Sequence, residues 1–197
     1  MTDANGYVVD VSGLPSRFPT QSHSSEFWES LGRAVATFGF LEEVLTKAVF
    51  SFTATRPYSE AEIDDAYAKW VPLLERTVSD QLGALIGSYE KAVKDHPKSE
   101  VEHFENLIVD LREAAKIRNV ICHGSWRLPN QDGASIPFFV NKKKEVFETP
   151  IDCAFLDQLQ RHTSELAAFV ISTVTAMGWQ FPGSVGPGIP IWTHGEE

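Results

Sequence analysis

The sequence predicts an all-α fold: a four- to five-helix bundle with a small β-hairpin or three-stranded flap between the last two long helices. Three observations lead there. Apolar residues recur at three- and four-residue steps over long stretches, capping residues precede most of those stretches, and one short segment is β-branched and aromatic between turn residues. The chain has 197 residues and is 43% hydrophobic, enough for one well-buried domain and more than a disordered polymer carries. We expect an N-terminal arm over 1–24, a helical domain over 25–177 and a Pro- and Gly-rich tail over 178–197.

The arm is rich in Ser, Pro and Thr with little periodicity, so it either drapes over the surface or stays loose. The first helix, about 25 to 52, begins after the good caps Ser24 and Ser25. Leu31, Val35, Phe38, Leu41, Leu45, Ala48 and Phe52 then mark one face. Arg56-Pro57-Tyr58 breaks it, and Ser59 with Glu62 three residues on caps a second helix running through Tyr67, Trp70, Leu74, Val78, Leu82, Leu85 and Tyr89. Pro72 is expected to kink or divide that helix. Ser99 and Glu102 form the next capping pair, ahead of a third helix whose stripe is Val101, Phe104, Leu107, Ile108, Leu111 and Ala115 and whose stop is Gly124.

The flap, about 125–148, is read from Ile136-Pro137-Phe138-Phe139-Val140 and Glu145-Val146-Phe147-Glu148 on either side of a polar tip. From Asp152 a fourth helix carries Phe155, Leu159, Leu166, Phe169, Val170 and Met177 to Gly178. The tail still holds Trp179, Phe181, Ile191 and Trp192, so it is expected to dock on something apolar.

Composition removes several function classes. With 17 basic and 27 acidic residues the formal charge is -10, so the average field repels phosphate and any nucleic-acid contact needs a local basic site. Two cysteines without a C-x-x-C pair suit neither a disulfide scaffold nor a structural zinc site, which points to a reducing, cytoplasmic setting. No apolar run approaches the roughly 20 residues that span a bilayer, so no membrane partner is expected. The histidines show no convergent ligand spacing and no Gly-rich nucleotide loop or G-x-S-x-G frame is present, so neither a metal nor a cofactor is expected.

The chemistry-bearing residues lie late in the third helix. At about 100° per residue with Val101 at zero, its apolar residues cluster near roughly 280° and Arg118 falls at about 260°, inside the stripe. Unpaired, a buried guanidinium costs several kcal/mol, so Arg118 needs a carboxylate, a phosphate or water held in a cleft. Glu42, Glu43 and Glu165 are candidate partners from other helices. Asn119 falls near 0° and His123 near 40°, about 140° from Arg118, so one helix presents Arg118 and His123 poorly to a common small substrate. Two copies facing each other across a two-fold axis do so better. Cys122, near 300°, is expected to pack in the stripe.

Arg118-Asn119-Val120-Ile121-Cys122-His123 resembles the signature of HEPN domains, in which Arg and a polar residue are followed by His after four to six intervening positions. The helical layout over about 25–177 is similar to theirs too. The resemblance implies a dimeric all-α domain that, in active members, cuts RNA without a metal. For this chain it implies a metal-independent endoribonuclease in a toxin or defence role, with RNA, a second copy and an antitoxin protein as partners. The alternatives are a non-catalytic HEPN-like module that holds a nucleotide or a protein, and a purely structural homodimer with Arg118 neutralised across the interface.

The residue types suit the implied chemistry. RNA is cleaved by its own 2′-hydroxyl when one group removes that proton, another protonates the leaving 5′-oxygen and a fixed cation holds the charge on phosphorus. Imidazole, with an ordinary pKa of about 6.5, serves proton transfer near neutrality, and a guanidinium matches phosphate oxygens. His123 is thus the candidate acid or base, Arg118 the phosphate ligand and Asn119 a group that orients either. Lys142, Lys143 and Lys144 at the flap tip, with Arg127 at its base, are candidate RNA-backbone contacts.

Overall fold

The computed structural model describes residue 8, residues 10–99 and residues 101–185. Ser24 opens the first helix: its backbone is extended and its Oγ accepts from the Phe27 N–H at 3.1 Å. Helix α1, Ser25–Ala54, follows the predicted stripe except at Val35, which is exposed, and buries Phe27, Leu31, Ala34, Phe38, Leu41, Leu45, Ala48, Val49 and Phe52. It is the hub, packed most extensively on the last helix and next on the third.

After Arg56-Pro57 the predicted Ser59–Glu62 cap forms. The Ser59 N–H and hydroxyl both donate to Glu62 Oε2, at 3.0 and 2.5 Å, and a 3-10 turn leads into α2, Ile63–Ser79. Pro72 does not divide this helix. It sits inside α2 on an exposed position, where the missing N–H costs one backbone bond without a core clash. The break comes instead at Asp80 and Gln81, both extended. There Ser79 Oγ donates to the Arg76 carbonyl at 3.1 Å and Asp80 pairs with Arg76 at 3.5 Å, local bonds that compete with helix continuation. The second predicted helix is thus two.

Helix α3, Leu82–Asp95, buries Leu82, Leu85, Ile86, Tyr89, Ala92 and Val93, and the Tyr89 hydroxyl meets Thr173 Oγ1 at 2.8 Å. Ser99 does not cap the next helix: its hydroxyl donates to the Val93 carbonyl at 2.6 Å and closes α3. Helix α4, Phe104–His123, starts later, from His103 in the left-handed region at φ 55°. The last helix, α5, Cys153–Thr175, is capped by Asp152, whose Oδ1 accepts from the Phe155 N–H at 2.7 Å.

Between α4 and α5 the predicted β-hairpin or three-stranded flap does not form. Among the described residues there is no regular strand, only isolated antiparallel bridges joining Ser125 to Phe138, Ser135 to Ile151 and Val140 to Val146. Proline explains much of this. Pro129, Pro137 and Pro150 each remove a ladder donor, and Pro137 does so next to the Ser125–Phe138 bridge. The arm is held where it meets α1, since Trp28 Nε1 donates to the Thr20 carbonyl at 2.9 Å and His23 stacks on Phe27. At the other end Phe181 is buried and Trp179 exposed, while Ile191 and Trp192 lie outside the described residues. Among the described residues no helix is long and apolar enough to cross a membrane.

Candidate functional site

The last two turns of α4 carry Arg118, Asn119 and His123. Over Phe104–Ala115 the helix buries the predicted stripe, but over its final turn it buries Val120 and Ile121 instead. The chain after α4 turns back there, with Pro137 against Gly124 and Ser125 paired with Phe138. Gly124 permits this. A Cβ there would lie 2.6 Å from the Val120 carbonyl oxygen and 2.8 Å from Pro137 Cβ, closer than real side chains approach. The rotation of the buried face also corrects the expectation for Cys122, which is exposed, not packed in the stripe.

Arg118 is half-buried and has found one of its three candidate carboxylates. Its Nη2 donates to Glu42 Oε1 on α1 at 3.4 Å, a long contact between side chains that are 24% and 30% exposed. Its Nη1 donates to Asn119 Oδ1, also at 3.4 Å. Glu43 turns away to Lys47 at 2.6 Å. The Cys122 thiol reports the same surroundings: partial burial pushes its pKa up, the Arg118 charge opposes that, and Glu42 adds to it.

His123 is the last residue of α4 and is exposed. Among the described residues no group hydrogen-bonds or ion-pairs with its ring. Within one chain Arg118 and His123 share the same end of α4 but make no contact with each other.

The predicted backbone contacts lie on the segment between α4 and α5. Lys142, Lys143 and Lys144 are exposed on a tight turn built by Asn141, whose Oδ1 accepts from the Lys143 and Glu145 N–H groups at 2.9 and 3.0 Å. Lys144 takes a left-handed φ of 66° there. Residues 139–141 link this tip to the Ser125–Phe138 bridge. Arg127 stays nearer the end of α4, its guanidinium 5.0 Å from the centre of the Phe138 ring.

Sequence reasoning missed an aromatic cluster beside this end of α4. His23, Phe27, Trp28 and Trp126 meet with ring centres 4.4 to 6.4 Å apart, joining arm, α1 and the segment after His123. Its signal was present in Phe27-Trp28 and Ser125-Trp126, but nothing in one-dimensional spacing pairs them. Among the described residues no three His, Cys, Asp or Glu side chains converge as metal ligands. No family model, curated protein or solved structure matches the chain.

Proposed function

We propose that the chain is a metal-independent endoribonuclease of HEPN type, working as a homodimer in a toxin or defence role. One observation carries the reading: a half-buried arginine held only at 3.4 Å by Glu42 sits five residues before an exposed histidine without a partner among the described residues. A phosphate oxygen competes with Glu42 for the Arg118 fork, because charge-assisted pairs reach shorter distances than the one made here. Asn119 steadies the guanidinium from the other side.

In this mechanism the 2′-hydroxyl oxygen attacks phosphorus after losing its proton, and the P–O5′ bond breaks as the leaving oxygen gains one. The products are a 2′,3′-cyclic phosphate and a 5′-hydroxyl. His123 performs one of the two proton transfers and Arg118 carries the charge that builds on the non-bridging oxygens. The roughly 140° between the two side chains on one helix is bridged when a second copy contributes its own pair across a two-fold axis. Lys142, Lys143, Lys144 and Arg127 guide the RNA backbone, the local cationic sites a chain of charge -10 requires.

A second reading, a non-catalytic HEPN-like module that binds a nucleotide or protein, is favoured by the Glu42 contact, which already neutralises Arg118. Expression in a bacterial host separates the two. The nuclease reading expects growth arrest from the wild-type chain, relieved by His123→Ala. Nucleotide-dependent thermal stabilisation without arrest supports the binding module instead.

A further inference from the structure

A groove of about 710 Å³ opens between α2 and the paired ends of α1 and α3, far from Arg118. Thr53 on its wall lies eleven residues beyond Glu42 along α1, roughly 16 Å at about 1.5 Å per residue. Its volume falls in the range of small-molecule sites, about 300–1,000 Å³. We propose that this groove binds a small aromatic molecule carrying a single negative charge.

The apolar part of the site is built. Phe52 and Ala92 are buried at its floor, and Leu73 and Trp70 are half-buried on α2. The Trp70 indole is held in place because its Nε1 donates to Thr53 Oγ1 at 2.9 Å, and that hydroxyl in turn donates to the Val49 carbonyl at 2.6 Å. Fixed indole planes favour flat partners.

The charges select the other half of the ligand. In a chain of net charge -10 this lining carries Arg56, Lys69, Arg76 and Lys91 against Glu62, Asp65 and Asp95, a surplus of one positive charge. Arg76 pairs with Asp80 and Glu62 is bound by Ser59. Lys69 and Lys91 each have an aspartate four residues away, Asp65 and Asp95, yet neither makes an ion pair among the described residues. Two ammonium groups without an ion pair among the described residues, one on α2 and one on α3, thus border an apolar wall and can meet an anion seated on it. Lysine is a point charge and not a fork, so the site takes a carboxylate or a sulfonate alike. The three carboxylates repel more highly charged ligands. Helix α2 buries only Thr77, so it is free to settle onto a ligand that bridges it to α3.

The test uses the full chain and 1-anilinonaphthalene-8-sulfonate, an aromatic monoanion whose fluorescence rises on binding. One saturable site per chain is expected, weakened at least tenfold by Lys69→Gln combined with Lys91→Gln and unchanged by Arg118→Ala. Both lysines are exposed, so the double variant keeps its fold, checked by circular dichroism. Slower amide exchange across α2 on binding supports the site further. Equal binding by the folded double variant overturns the proposal, as does displacement of the probe by ATP more effectively than by naphthalene-2-sulfonate. Neither outcome touches the nuclease reading, because Arg118 and His123 lie outside the groove.

Discussion

Arg118 and Glu42 set the terms at the level of single residues. An ion pair at 3.4 Å between side chains this exposed contributes about 0–1 kcal/mol, so Glu42→Gln is expected to shift thermal unfolding little. The same change frees the guanidinium, and a non-cleavable oligoribonucleotide is expected to bind several-fold more tightly in a fluorescence titration. Gly124 behaves oppositely. Gly124→Ala forces a Cβ against the Val120 carbonyl and Pro137, and is expected to cost about 1–3 kcal/mol in urea unfolding, as overpacking does. His23 gives a pH signature. Its Nε2 is buried without a hydrogen-bond partner among the described residues, and burial lowers its pKa. Below the unfolded value of about 6.5 the unfolded chain then holds more protons than the folded one, so stability is present above that pH and falls as the pH drops toward the folded pKa. Urea midpoints at about pH 7 and about pH 5 are expected to converge in His23→Phe relative to wild type.

Among the elements, α1 and α5 were legible because a long apolar stripe and a capping residue agree, and burial then followed the stripe. The boundaries around α3 were not. Ser99 has the same local pattern whether it starts a helix or ends one, and its bond to the Val93 carbonyl depends on the turn at His96. The flap failed for a related reason: aromatic and β-branched runs suggest strands, but pairing needs donors that Pro129, Pro137 and Pro150 lack. At the site, the position of Arg118 and His123 late in one helix was legible, and Glu42 was among three candidates. Which carboxylate wins, and the exposure of Cys122, depend on how the chain after Gly124 folds back. Helix α2 is the least anchored element, with Thr77 alone buried, and its amides are expected to exchange faster than those of α1, α3 or α5. Pro72→Ala restores a backbone N–H in its interior and is expected to slow that exchange, read by mass spectrometry.

For the whole molecule, a chain of charge -10 binds RNA only where cations gather, and Arg118 and His123 project about 140° apart from one helix. The nuclease account therefore depends on two copies. Light scattering at micromolar concentration is expected to give the dimer mass. The most direct measurement incubates purified protein with total cellular RNA in EDTA, comparing wild type with Arg118→Ala and His123→Ala, and maps the fragment ends. The wild type is expected to leave 2′,3′-cyclic phosphate ends and both variants to leave none. Identical fragments from His123→Ala, or intact RNA with all three proteins folded and dimeric, would contradict it.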